Sequence, residues 1–521
     1  MKIKKIKFLT FFAFIAMALT GCLSDPFEDD NDKNDDSDKE SEEHDKSSYV
    51  PLLDSTRVIY IDWSDTISVK QLIDSDSVSI VVNNNDVIVN SVCNDTIEYV
   101  LSGKTDNGMI KIYSEKDFNL VFNQVEIKNK RGPAMNIQSK KRAYMYVFGK
   151  SKNILEDAAS YELPENPLED QKSAMFAEGK IIISGDSLAY LTVTSNSTHA
   201  ICSDAYVNIS SGNIILNSVT DGIHANDEVS FDGGNILINA SSDGVECEAG
   251  KIVVNDGTLK IVCGDKGLTT SYRGSSSKIN PDVIVNGGNI DITVTHENGK
   301  GVRSIGNYTM NGGKIKVFAD KLENEGIESK KVLEIYDGEV YVESYDNGLN
   351  SGNDLNIYGG KIYSCSFGND GIDSNGKIII SGGIITSIGA GELESGFDCG
   401  NNIMKVTGGT FIGIGTATSK PNLNVSTQPS IIVNSNLKKN QLVNLSTANG
   451  DNLITFKVPN VINSTVTLIS SPKIKLDTEI KVYLDGSIDG GEDVNGIVQD
   501  GNYKVGNLYG TTTVSSMTTE M

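Results

Sequence analysis

Two groups of acidic residues in this chain have the type and spacing to hold a metal ion. Asp221, Asp243 and Asp265 recur every 22 residues, with Glu246 and Glu248 beside the second. Further along, Asp346, Asp370, Asp373, Glu394 and Asp398 gather at similar intervals. Carboxylates held side by side repel, and each is pushed toward its neutral form unless a cation sits between them. Calcium takes about six to eight oxygens at roughly 2.3–2.6 Å, which carboxylates and turn carbonyls on neighbouring segments can supply. The metal candidates are Asp221, Asp243, Glu246, Asp265, Asp346, Asp370, Asp373 and Asp398, and the expected cofactor is Ca2+. The competing explanation is a solvated acidic edge that keeps the protein soluble and unpaired.

Between the acidic groups the sign reverses at Lys266, Lys300 and Arg303, followed by Glu325 and Glu328. A basic group beside calcium suits a polysaccharide lyase, in which the metal acidifies the C5 proton of a uronate and the base removes it. The same cations can instead hold uronate carboxylates, where arginine offers two parallel bonds. Plain charge alternation is the third possibility, and it is favoured because no distinctive catalytic phrase accompanies the trio. Lys266, Lys300 and Arg303 are therefore ligand-binding candidates first and catalytic candidates only in the alternative.

Tyr336 matches Tyr358 in the repeat described below, and Tyr341 matches Tyr363. Rings on an exposed sheet offer apolar platforms to the CH faces of sugars, although tyrosine also favours exposed strands on its own account. His199 and His224 neighbour Asp221 in the repeat, within pairing reach of it. With four histidines in the chain and no zinc-type spacing, they read as ordinary turn residues. Besides Cys22 there are six cysteines, none in a C-x-x-C pair, and single cysteines inside a repeat pack as small hydrophobes. No nucleophile elbow, phosphate loop or zinc motif is present.

A repeat must position these residues. Gly222, Gly244, Gly267, Gly301, Gly326, Gly348, Gly371 and Gly396 each precede an apolar residue, at steps of 22 to 25 residues with a single step of 34. A second glycine row runs in parallel at 212, 234, 257, 288, 313, 338, 360, 383 and 409. Two places after each stands Ile214, Ile236, Leu259, Ile290, Ile315, Val340, Ile362, Ile385 or Phe411. Apolar residues also stand three and five places before it, as in Val285/Val283 and Ile357/Leu355, and a period of two means strands. Three short strands in about 22–25 residues make the chain all-β, a parallel β-helix whose like positions stack about 4.8 Å apart. The rows flanking the inward residue after the first glycine, which carry the charged groups, are expected to face solvent. The long step marks a loop over 269–282.

The expected organisation is a parallel β-helix over 57–420 and a β region over 421–521 that caps its open end, where strand edges and core would otherwise be bare. Ahead of these, Lys2, Lys4, Lys5 and Lys7, the apolar run Phe8–Leu19 and Leu19-Thr20-Gly21-Cys22 form a secretion signal over 1–21. That last phrase resembles the lipobox of bacterial lipoproteins, which implies lipidation of Cys22. Residues 22–56 form an acidic tether too polar to fold alone. The predicted location is the bacterial cell envelope, on the cell surface or the periplasmic side of the outer membrane, with membrane contact through the lipid anchor only. The formal net charge of −24, from 45 Lys+Arg against 69 Asp+Glu, argues against nucleic acid as a partner.

Phe122-Asn123-Gln124-Val125-Glu126-Ile127, Gly132-Pro133-Ala134-Met135-Asn136-Ile137, Asp221-Gly222-Ile223-His224 and Asp370-Gly371-Ile372-Asp373-Ser374 together resemble a family of secreted bacterial carbohydrate-binding domain-containing proteins. The closing segment, Ile469-Ser470-Ser471-Pro472 through Tyr503 and Tyr509-Gly510-Thr511-Thr512, is similar to that family's tail. The resemblance implies a right-handed parallel β-helix like that of pectate lyases, bound calcium, and affinity for plant cell-wall polysaccharides. The expected function is calcium-dependent, non-catalytic binding of a polygalacturonate-like polysaccharide by a monomer. A calcium-dependent uronate lyase and an adhesin or structural envelope protein are the alternatives.

Overall fold

The computed structural model describes residue 51 and residues 57–64, 66–71, 77–459 and 464–521. The signal segment, Cys22 and most of the acidic tether lie outside the described residues. Among the described residues there is no helix, and the chain winds as a parallel β-solenoid of about 13 turns. The first face of the coil is a 14-stranded sheet that includes Ile223–Ala225, Val245–Cys247, Lys266–Thr270, Lys300–Ser304, Glu325–Ser329, Leu349–Ser351, Ile372–Ser374 and Phe397–Asp398. The strands before and after the second glycine form the other two faces, as in Leu355–Ile357 and Lys361–Ser366. In two coils they merge into one 13-residue strand, Glu228–Ala240 and Lys251–Cys263.

The predicted ladders hold their register. Ile214 pairs with Ile236, and the row continues through Leu259, Ile290, Ile315, Val340, Ile362 and Ile385 to Phe411. On the first face Ile223, Val245, Leu268, Val302, Ile327, Leu349, Ile372 and Phe397 form a second row. Both rows are buried in one continuous core. Cys247, Cys263 and Cys399 belong to it, and Cys93 packs against it; the six described cysteines are free thiols. Residues 271–282 leave the coil as the predicted loop, between Lys266–Thr270 and Val283–Val285.

The two glycine rows exist for different physical reasons. All nine glycines of the second row have positive φ, from 79° to 105°, because the chain turns a corner between two faces there. The first-row glycines instead sit where a side chain and the neighbouring backbone together leave no room for a Cβ. A Cβ on Gly301 would fall against Val317 Cγ1 and 2.7 Å from the Gly326 carbonyl oxygen.

At the start of the described chain, Val58–Trp63 pairs antiparallel with Ile67–Gln71 and parallel with Glu98–Thr105, the next strand of the same sheet. At the other end Thr410–Gly415 pairs antiparallel with Val466–Ser470, which stops the parallel ladder. Residues beyond 421 do more than meet that last strand. Val443, Leu445, Phe456, Ile480 and Val482 form a second core with the outward side chains Tyr363, Cys365, Ile388, Ile412 and Ile414, so this region lies along the flank of the last coils. Thr386 Oγ1 donates to the Asn495 carbonyl oxygen at 2.8 Å, and Lys361 pairs with Glu492 at 3.2 Å across the same junction.

The glycine rows give a test. Gly212→Ala, with no atom nearer than 3.4 Å to the new Cβ, adds only φ strain and is expected to cost about 1–2 kcal/mol. Gly301→Ala, pressed against backbone, should cost more. Urea midpoints at constant slope measure both.

Candidate functional site

The first face carries two polar columns on either side of its inward row. One runs in register through His224, Glu246, Thr269, Arg303, Glu328, Asn350, Asp373 and Asp398. The other holds the residue before each first-row glycine: Asp221, Asp243, Lys266, Lys300, Glu325, Asn347, Asp370 and Ser395. These columns do not simply face solvent, as expected from alternation. Asp221, His224, Asp243, Glu328 and Asp370 are all buried, because each side chain lies against its counterparts one strand spacing away on either side. Burial turns each charge into an energetic demand for a partner.

In the first acidic group that demand is met by histidine. Asp221 Oδ2 lies 3.0 Å from His199 Nδ1 and 3.4 Å from His224 Nδ1, and His224 Nδ1 lies 3.3 Å from Glu246 Oε2. The Asp243 amide donates to Asp221 Oδ1 at 3.0 Å. Burial opposes the charge on Asp221, but the two imidazoles outweigh it and hold this carboxyl well below the usual range. The ring of His224 shows the mirror effect: burial disfavours its charge, and Asp221, Glu246 and Glu248 drive its pKa upward. The sequence treated both histidines as turn residues. The available signal was coil arithmetic, since His199 precedes Asp221 by 22 residues, one coil length.

Oxygens of Asp221, Asp243 and Glu246 lie within 4.8 Å of one another, and Asp265 stands outside this set. Lys266, not Asp265, occupies the register position above Lys300, and Asp265 turns to pair with the Lys266 ammonium. Asp243 is pushed up to about 7, chiefly by burial, with Lys266 lowering it and Asp221, Asp265 and Glu246 raising it.

The basic trio is occupied by the protein itself. Lys266 Nζ lies 3.6 Å from Asp243, Lys300 Nζ lies 2.8 Å from Glu325 and 3.6 Å from Glu328, and Arg303 Nε lies 3.3 Å from Glu328. Burial works against the charge on Lys266, but Asp243 and Asp265 raise its pKa above the ordinary lysine value. A lysine that removes a carbon-bound proton must first be neutral, and these surroundings hold Lys266 in the opposite state.

The second acidic group has no such partners. Oxygens of Asp370, Asp373 and Asp398 lie within 4.8 Å of one another, and Asp373 and Asp398 occupy adjacent positions of one ladder. Their hydrogen bonds come from neutral donors: the Ser395 amide to Asp370 at 2.6 Å, the Asn347 amide nitrogen to Asp373 at 3.3 Å, and the Gly400 amide and Ser419 hydroxyl to Asp398 at 2.9 and 3.2 Å. Among the described residues no lysine or arginine forms an ion pair with these three carboxylates. Asp370 is pushed up to about 7 and Asp373 to about 6, in both cases by burial first and then by the neighbouring carboxylates, against hydrogen bonds that lower them. Asp346 stands apart, held by the Asn369 side chain.

The tyrosine pairs differ from expectation. Tyr341 and Tyr363 stack at 4.7 Å, but Tyr363 is only 5% exposed because the region beyond 421 covers it, so this pair is not an open platform. Tyr336 and Tyr358 remain in water, 45% and 41% exposed, and stack at 4.6 Å with 16° between ring planes. Each covers one face of the other, leaving their outer faces, edges and hydroxyls to a ligand. Tyr358 also donates to Glu334 at 3.3 Å.

No curated protein matches the sequence. Among solved structures the chain is similar to the polysaccharide lyase-like protein from C. thermocellum, at 20% identity and a TM-score of 0.39, over 53% of this chain and 96% of that one. The sequence profile of one family matches residues 83–371, which contain most of the coils and both glycine rows through Gly371. On that match, the chain belongs to the carbohydrate-binding domain-containing protein family.

Proposed function

We propose that the protein binds an acidic polysaccharide of the polygalacturonate type, without cleaving it, through calcium held at Asp370, Asp373 and Asp398. The observation that carries this is the contrast along one face. Asp243, Glu325 and Glu328 each have a lysine or arginine against them, whereas the converging carboxylates of the second group are met only by neutral donors. An all-oxygen donor set with charge to neutralise fits calcium. When bound, the ion would supply a positive centre to which a sugar carboxylate could also coordinate. Asp370, Asp373 and Asp398 would hold it, while the Ser395 amide and the Asn347 side chain orient the first two carboxyls.

Family membership supports carbohydrate as the ligand class. The pairing of Lys266, Lys300 and Arg303 within the protein supports binding over lyase chemistry, since none of the three is free to act as a base. Tyr336 and Tyr358 would add contacts to sugar through their exposed edges and outer faces. The proposal extends to a monomer tethered in the bacterial cell envelope through lipidated Cys22.

In gels containing polygalacturonate, the protein should be retarded with calcium and run freely with chelator; Asp370→Asn with Asp373→Asn should remove the retardation. Unretarded migration in both conditions would overturn the acidic-ligand proposal, and formation of unsaturated uronate product would replace binding with lyase activity. Tyr336→Ala with Tyr358→Ala should weaken binding roughly 2- to 10-fold.

The raised carboxyls also set a pH dependence. Unfolded aspartates titrate near 3.8, so between about pH 4 and pH 7 the folded, chelated protein holds more protons at Asp370 and Asp373 than the unfolded chain does. Their contribution to stability therefore falls as pH rises through that window, and calcium should restore it above pH 7. Urea midpoints in chelator should show a shallower decline for the double Asn variant than for the wild type.

A further inference from the structure

Beside the all-oxygen trio Asp221, Asp243 and Glu246, the first acidic group offers a second donor set that contains nitrogen. We propose that His199, Asp221, His224 and Glu246 form a site for a divalent transition-metal ion, zinc in the first instance, that staples three consecutive coils. This goes beyond the carbohydrate-binding reading and does not rest on it. His199 lies on one coil, Asp221 and His224 on the next, and Glu246 on the third, with His224 in register with Glu246.

Three features point to the ion. First, the donors already converge: ligand atoms of His199, Asp221 and His224 lie within 4.8 Å of one another, and the nitrogen-to-oxygen separations are 3.0, 3.4 and 3.3 Å. Tetrahedral zinc with bonds of about 2.0–2.1 Å has ligands roughly 3.3 Å apart. Second, two imidazoles with two carboxylates suit zinc and its transition-metal neighbours, while calcium selects oxygen.

Third, the His224 ring is 6% exposed, and its Nε2 is buried without a hydrogen-bond partner. Its Nδ1 faces both Asp221 and Glu246. In the protein alone, one ring nitrogen thus faces two carboxylates, while the other has only Glu248, beyond hydrogen-bond distance. With a metal on Nδ1, the proton resides on Nε2 and points toward Glu248 Oε2, 3.8 Å away. A carboxylate behind the far nitrogen of a ligating histidine is the usual supporting arrangement for such a ligand. Glu248 is the orienting residue of this site and not a ligand.

The test uses the untagged full chain, stripped of metal and titrated with Co2+ as a spectroscopic substitute for Zn2+. One Co2+ per chain should bind, with the strong visible absorption of a tetrahedral ion, displaced by an equivalent of Zn2+ and untouched by excess Ca2+. His224→Gln should abolish the bands. His199→Ala, at a more exposed ring whose loss the fold tolerates better, should abolish them too. Glu248→Gln should keep them but lower Zn2+ affinity about 10- to 100-fold. A folded wild type that binds neither Co2+ nor Zn2+ would overturn the proposal, as would bands that persist in both histidine variants or a Co2+ signal displaced by Ca2+.

Discussion

Stacking at one strand spacing is the constraint on which the rest of this molecule depends. Every side chain on a coil meets the same position of the next coil about 4.8 Å away, and that neighbour meets its own. An apolar residue gains from this arrangement, which is why Ile, Val and Leu fill the inward rows from end to end. A charged residue does not, because its nearest neighbours are fixed by the fold and its access to water is narrowed by them. The columns on the first face show two answers: an opposite charge, as between Arg303 and Glu328, or an amide, as at Asn347 and Asn350. The sign of the glycine-flanking column reverses twice, and an ion pair bridges each reversal, Asp243 with Lys266 and Lys300 with Glu325.

The same constraint explains what could be read from the sequence. The inward rows and both glycine rows were legible because each is a local pattern repeated many times, and no distant residue can alter it. The acidic groups were legible as groups for the same reason. Their finer membership was not. Asp265 was counted with Asp221 and Asp243, yet a shift of one place in that coil puts Lys266 in register with Lys300 and sends Asp265 outward to its neighbour's ammonium. A single residue of coil length decides which of two adjacent, oppositely charged residues enters the column. Composition carries no trace of that choice, and spacing alone left it ambiguous.

The tyrosines and histidines show two further limits. Tyr341 and Tyr363 stand three places after the second-row glycine and Tyr336 and Tyr358 two places before it, and the repeat by itself marks neither place as covered. What separates them is the region beyond 421, whose own apolar residues need a surface and take the outward side of the last coils. That contact links positions about a hundred residues apart in a part of the chain without the repeat, so no periodicity announces it. The histidines were discounted for lacking a local metal motif. In a solenoid, however, ligands converge from successive coils, and the relevant spacing is the coil length, not the three to five residues of a helix or finger.

The overall charge makes the proposed role of the ion more than an accessory. A chain with formal net charge −24 repels a polyanionic sugar at long range. At physiological ionic strength, however, exposed charges are screened over roughly 8 Å, so what decides binding is the charge within one or two coils of the contact. On this face the protein's own cations are already neutralised by Asp243, Glu325 and Glu328, which leaves them little attraction for a ligand carboxylate. At Asp370, Asp373 and Asp398 no lysine or arginine pairs with the carboxylates among the described residues, so in the proposed role an added divalent ion would both relieve the protein and offer a coordination position to the sugar. In the proposed role the dependence runs in one direction: without the ion the second acidic group would exclude an acidic chain, and with it the same residues would become the place where that chain is held.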